Sequence, residues 1–419
     1  MIQRRQYRGS TMTTLLALAT ILLVGSFRGS AQDGPPKTVQ FTGRSPTSEE
    51  CGTCHVTLYR EYAMGFGSDL KYRDTTGKAG QERILDVPAN VSTTGTGHSL
   101  AALDPYPVHA LEEGTGNGAC RTCHFPRTFA IPEIDQVSVG KPDPRPPEEE
   151  FGGVRCSSCH LTPDGAIRTP HQVQAPHETI QDERIHTSVM CAYCHSLGSY
   201  TPGSQTQTFL EWREDFFRAG LGKLHCQDCH MPRTLRKTAE TFDVPIRPVA
   251  RHLWTGGHSS QRVMNAATAV IVQPVAGESR FEFHVANVGA GHSIPSGSNR
   301  RALYLIAEIQ DQQERIVASR EWLFAPWYGN RPDDRAFVEA DRLRPDSIAA
   351  TQADLQGPHE AILRGGENRA LPWSPSLKPG SYTVKARLIY DLNRYNDWTL
   401  SQDQTETVTA SLGCQVTGQ

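Results

Sequence analysis

The chain has 419 residues, 37% of them apolar, and a formal net charge of −3. No block of Lys or Arg stands outside the N-terminus, so nothing in the charge favours nucleic-acid binding. The apolar share is below that of ordinary globular chains, which fits a core completed partly by something other than side chains, and the length allows two or three domains.

Taken in order, Arg4, Arg5 and Arg8 precede the short apolar run Thr14–Gly25, and Gly29-Ser30-Ala31 supplies small residues. These are the three parts of an export signal, residues 1–31, with cleavage after Ala31. The run is shorter than the ~20 residues a membrane span needs. A mature chain that does not span the membrane, in a periplasmic or secreted compartment, is therefore expected. Residues 32–46 read as a flexible leader. Thr47 and Glu50 have capping-box spacing and open a helix through Leu58, Tyr59 and Tyr62.

That helix carries Cys51-x-x-Cys54-His55. The pattern returns as Cys120-x-x-Cys123-His124, Cys156-x-x-Cys159-His160, Cys191-x-x-Cys194-His195 and Cys226-x-x-Cys229-His230, and uses ten of the eleven cysteines. C-x-x-C-H is the attachment pattern for c-type haem. Each thiol adds to one vinyl group and the histidine becomes the proximal iron ligand. A zinc site would need cysteine pairs in twos, and five is odd. Neither zinc nor a thiol–disulfide pair requires the histidine that follows every copy. Five covalent haems c are expected.

The last four copies start at 120, 156, 191 and 226, spaced by 36, 35 and 35 residues. Between the first and second motifs, residues 67–108 read as loop, and after the second Lys141–Glu150 reads as a Pro-rich acidic connector. Thr208–Gly220 reads as a helix capped by Thr208 and Glu211, with Phe209, Trp212 and Phe216 on one face and Gly220 at its end. From residue 260 strand signals take over: Thr268–Gln273, Phe281–Val288, Ala302–Ile309, Ser381–Tyr390 and Thr405–Leu412. The expected fold is α+β: a loop-rich, short-helix multihaem domain over 32–259, wrapped around five stacked haems, and an antiparallel β-sandwich of roughly seven strands over 260–419. Cys414 is left as a free thiol.

The sixth ligand of each iron decides between electron carriage and chemistry at an open site. Sixteen histidines are present, so eleven lie outside the motifs. His171 and His177 occupy Pro-flanked turns after the third motif, where the chain must fold back over its haem. His252 and His258 follow the fifth motif, and His292 lies in a Gly-rich loop that permits close approach to a macrocycle. His284 and His359 read as structural, and His225 abuts Cys226. Met64, Met190 and Met231 are further possible ligands.

The chain resembles the multihaem cytochrome c family that includes the tetrahaem cytochrome c-554 type and is related to pentahaem nitrite reductase and hydroxylamine oxidoreductase. The resemblance rests on CGTCHxxxY from Cys51 to Tyr59, GVRCSSCH from Gly153 to His160, EWR from Glu211 and CQDCHMP from Cys226 to Pro232. NVGAGHSIPSG from Asn287 to Gly297, followed by Arg300 or Arg301, extends it to about residue 310. It implies a haem-stacked electron-transfer domain with His171, His252 and His292 as distal ligands. Two departures stand out. The nitrite reductases carry C-x-x-C-K at their catalytic haem, whereas all five motifs here end in His. The family's His after the first motif is replaced by Tyr62-Ala-Met-Gly-Phe-Gly67, so that iron must recruit His98, His109 or Met64, or stay open.

The expected function is electron carriage between redox partner proteins, a donor and an acceptor complex. The alternatives are an oxidoreductase acting on a small nitrogen or sulfur compound at one open haem, and a subunit assembled through the β-sandwich.

Overall fold

The computed structural model describes residues 38–64, 73–74, 83–84, 131, 133–135, 137, 154–196, 207–257, 260–297, 301–325, 362–392, 398–399 and 404–417. The expected export signal, the second motif (Cys120, Cys123, His124), the expected Lys141–Glu150 connector and His98, His109, His258 and His359 lie outside them. Met1–Lys37 and Thr38–Gln419 separate as two units, and the second carries all that follows.

Up to residue 257 the helices are short. Thr47 caps Ser48–Gly52 through a full capping box: its hydroxyl accepts from Glu50 N–H, and the Glu50 carboxylate accepts from Thr47 N–H. The expected continuous helix is broken inside the first motif and resumes as Val56–Met64. The third and fifth motifs are single-turn helices, Cys156–His160 and Cys226–His230, and the fourth lies in Val189–His195. Single turns barely repay the cost of helix nucleation, so these helices depend on tertiary contacts. A parallel pair, Ile167–Thr169 with Thr179–Gln181, and an antiparallel pair, Arg233–Arg236 with Arg247–Ala250, lie in this half, and Arg73–Asp74 pairs with both Arg83–Ile84 and Trp398–Thr399. Its apolar cluster is modest: Ile185, Val189, Met190 and Ala192 pack with Phe209, Leu210 and Trp212.

The expected helix from Thr208 is α-helical only to Glu211 and continues over Trp212–Arg218 with wider, π-type turns. Gly220 ends it with φ +75°. The Thr208–Glu211 capping expectation is overturned, since Gln207 takes the cap position without a side-chain bond. Both side chains instead reach the loop after Asn287.

Beyond residue 260 two antiparallel sheets share one core. Asn368–Trp373, Phe281–Asn287 and Ala267–Val272 form a three-stranded sheet in that order. Ile316–Phe324, Ala302–Gln310, Gly380–Asp391 and Gln404–Val416 form a four-stranded one. Phe281, Phe283 and Val285 alternate inward from the first, as the period-2 pattern requires. They meet Leu305, Ala307, Ile309, Val384, Ala386 and Leu388 from the second. All five expected strands occur within a few residues of their expected bounds. Among the described residues three more were not foreseen: Ile316–Phe324, Asn368–Trp373 and the two-residue Trp398–Thr399. Ile316–Phe324 starts exposed and buries only its last three residues, which blurs its alternation. Asn368–Trp373 contains Pro372, tolerated because this strand is at an edge of its sheet. Cys414 is a free thiol on the last strand, packed against the core.

Candidate functional site

The motif helices come in two matching pairs. The first motif adjoins the third, with the Cys51 thiol beside that of Cys156, and the fourth adjoins the fifth, with the Cys191 thiol beside that of Cys226. In each pair a serine three residues ahead of one motif accepts from the first N–H of the other. Ser48 takes Cys156 N–H at 3.3 Å and Ser188 takes Cys226 N–H at 3.0 Å. The accepting helices are built alike. Arg155 N–H donates to the Ser158 hydroxyl at 3.0 Å and His225 N–H to the Asp228 carboxylate at 2.8 Å. His225 is thereby a cap residue. Its Nδ1 accepts from Ser188 N–H at 3.2 Å, and its ring packs on Trp212 and Phe217. The sequence shows this duplication only as S-x-x-C before the first and fourth motifs.

Three proximal histidines are oriented by backbone carbonyls. Nδ1–H of His55 donates to Thr238 O at 2.6 Å, of His160 to Arg168 O at 3.1 Å and of His230 to Thr255 O at 2.6 Å. This fixes the tautomer with its lone pair on Nε2, the nitrogen a metal takes. Burial pushes His160 below the ordinary range, and pushes His195 and His230 down to about 4. These rings are neutral at pH 7, the form that ligates.

Each of those three faces a remote histidine. The ring centres are 6.4 Å apart for His55 and His177, 6.2 Å for His160 and His252, and 6.2 Å for His230 and His292. Iron–nitrogen bonds of about 2 Å, with about 1.1 Å from nitrogen to ring centre, place two axial imidazoles roughly 6.2 Å apart. The spacing therefore fits one iron per pair. The remote rings carry the same backbone tie: Nδ1 of His252 donates to Ala250 O at 3.0 Å and that of His292 to Ser293 O at 2.9 Å. Burial lowers His177 and His292, and lowers His252 to about 4. Among the described residues the motif cysteines are free thiols, as thioether attachment needs.

The placements differ from the sequence expectation in two respects. His177 lies beside the first motif, not over the third. Its turn is held against Val39, through Val39 N–H to Pro176 O and Glu178 N–H to Val39 O. His171 is exposed and faces His186 at 6.1 Å and 83°, with no motif histidine in that pair. Around His292 the glycines answer to protein contacts. A Cβ on Gly289 would lie 2.0 Å from Asn265 O, and one on Gly291 would press on Phe216 and Trp212. His284 is half-buried in its strand beside Glu282, as a structural histidine should be.

No family model matches this chain, and no curated protein matches it. Among solved structures it is similar to the penta-heme cytochrome c552 from Thermochromatium tepidum, with 16% identity, a TM-score of 0.49, and coverage of 88% of this chain and 99% of that one. A glycosyl hydrolase family 2 member from Bacteroides cellulosilyticus also matches, at 16% identity and TM-score 0.16 over 35% of this chain and 14% of its own. A beta-glucuronidase of the same family matches at 9% identity and TM-score 0.15, over 36% and 11%.

Proposed function

We propose that this chain is an exported c-type cytochrome that holds five covalent haems and passes electrons between redox partners. The single observation that carries it is the pairing of His55 with His177, His160 with His252 and His230 with His292 at the spacing of two axial ligands on one iron. The ten motif cysteines would attach the haems and the five motif histidines would hold the irons from one side. His177, His252 and His292 would close three of them from the other. When bound, each haem supplies one-electron storage and release.

The chain's own work is then to fix ligands and spacing. Backbone carbonyls orient the rings, and the adjoining motif pairs bring neighbouring attachment points into contact, which favours transfer from one centre to the next. The two C-terminal sheets around one core support the β-sandwich, whose loop supplies His292. The case for an open iron rested on the missing histidine after the first motif. His177 stands 6.4 Å from His55 and would take that role, which supports electron carriage over an open site. Among the described residues no helix is long and apolar enough to cross a membrane.

The test is haem quantification on the purified exported protein with histidine variants. Five haems per chain, and one low-spin iron turning high-spin in each of His177→Ala, His252→Ala and His292→Ala, are expected. Three or fewer haems, or unchanged spectra in all three variants, would sink the proposal.

A further inference from the structure

Two carboxylates, each on a helix before or after a motif, grip the backbone beside two of the facing histidines. Glu61 lies on Val56–Met64, directly after the first motif, and is buried. Arg236 clamps both its oxygens at 2.7 Å, and Arg251 adds a bond of 2.9 Å to Oε1. Oε2 also accepts the backbone N–H of His252 at 2.9 Å. Tyr62, next to Glu61, meets Trp254 edge-on, and Trp254 in turn stands edge-on to the His252 ring at 5.2 Å. Trp254 holds φ +42°, a backbone state that a bulky residue adopts only when its surroundings impose it.

Glu211 repeats the device from the other motif pair. It is fully buried, and its Oε2 accepts the N–H of Ser293 at 3.2 Å and the Ser296 hydroxyl at 2.7 Å. Thr208, one turn earlier, bonds the same Ser296 hydroxyl at 2.7 Å. Ser293 directly follows His292 and is itself fully buried. In both cases a carboxylate on a helix next to a motif bonds the backbone of a distant segment, at or beside the histidine that segment aims at a motif histidine. A bond from a backbone amide to a charged carboxylate is stronger than a neutral one, and burial shields it from water.

We propose that Glu61 and Glu211 are positioning residues. They hold His252 and His292 in place, so that the sixth positions at the third and fifth motifs stay closed to outside ligands. This rests on the axial roles proposed above for those two histidines.

The experiment is carbon monoxide titration of the reduced, haem-replete protein, read by optical spectra, with electron paramagnetic resonance on the oxidised form. Glu61→Gln and Glu211→Gln should each make one iron accessible, raising its apparent affinity for carbon monoxide about tenfold or more. The remaining low-spin signals should keep their positions, which a general loosening would not allow. His252→Ala and His292→Ala serve as references for the fully opened irons. If those references open an iron while both glutamate variants behave as wild type, the positioning role is wrong and the ligand assignment survives. If the references themselves change nothing, the ligand assignment fails and takes the positioning role with it. Glu61→Asp and Glu211→Asp keep the charge but shorten the reach, and carry the same two outcomes should the glutamine variants fail to mature.

Discussion

At the scale of single residues, burial keeps the facing imidazoles in the form that binds iron. His230 and His252 are pushed down to about 4 by burial first, and by neighbouring histidines second. An unfolded chain titrates its histidines near 6.5. As the pH falls, the unfolded state therefore takes up protons first, and stability is lost progressively between about 6.5 and about 4. The denaturation midpoint of the haem-replete protein should drop as the pH falls below about 6.5. A flat midpoint would contradict the burial argument. Asp182 makes a second acid-sensitive contact. The Arg184 side chain first, and its N–H next, hold this carboxyl below the usual range against burial, and the buried Arg168 lies 3.7 Å away. Its contribution is complete above the ordinary carboxylate range and fades as the pH falls through the lowered value. Asp182→Asn, which removes the charge beside the buried Arg168 and weakens the bonds to Arg184, should cost on the order of 2 kcal/mol in a denaturant titration. The motif cysteines and histidines proposed to hold the haems are legible in the sequence as a pattern, because C-x-x-C-H is written within five consecutive residues. The two glutamates were not. Glu61 bonds an amide 191 positions away and Glu211 one 82 positions away, and neither separation leaves a periodic trace.

Among elements, the paired motif helices stand out. A five-residue helix has no stability of its own, and Ser48 and Ser188 supply each partner's first N–H with an acceptor. Ser188→Ala removes the acceptor for Cys226 N–H and a contact to His225, and should cost about 1 kcal/mol, as loss of a cap does. Chemical denaturation checks this, and no change would mean that the serine merely fills space. Gly289→Ala drives a methyl into Asn265 O, and a cost of about 1–3 kcal/mol is expected from such overpacking. The long alternating strands were readable in sequence because their period survives burial on one face. The helix at Thr208 was placed correctly but capped wrongly. Thr208 and Glu211 have the spacing of a capping box, yet the same two side chains satisfy the His292 loop, and spacing alone cannot tell these uses apart.

For the molecule as a whole, the two regions draw on different sources of order. The residues beyond 260 bury a continuous apolar core, whereas the motif-bearing region has a small cluster and many backbone ties converging on histidines. Hydrogen exchange on haem-free chain should find Phe281–Asn287, Ala302–Gln310 and Gly380–Asp391 still protected, with the motif helices open. Equal protection of both would show that the haems are not needed for the fold. The route of the chain could not be foreseen from order along the sequence. The segment after the third motif brings His177 beside the first, and a loop between β-strands brings His292 beside the fifth. The most direct test of electron carriage is the quantified electron paramagnetic resonance spectrum of the fully oxidised, haem-replete protein. Six-coordinate, bis-histidine irons predict low-spin signals only, accounting for all the haem, with no change on adding nitrite or hydroxylamine. A high-spin signal integrating to one iron per chain, shifted by either compound, would contradict the account and turn the protein into an enzyme.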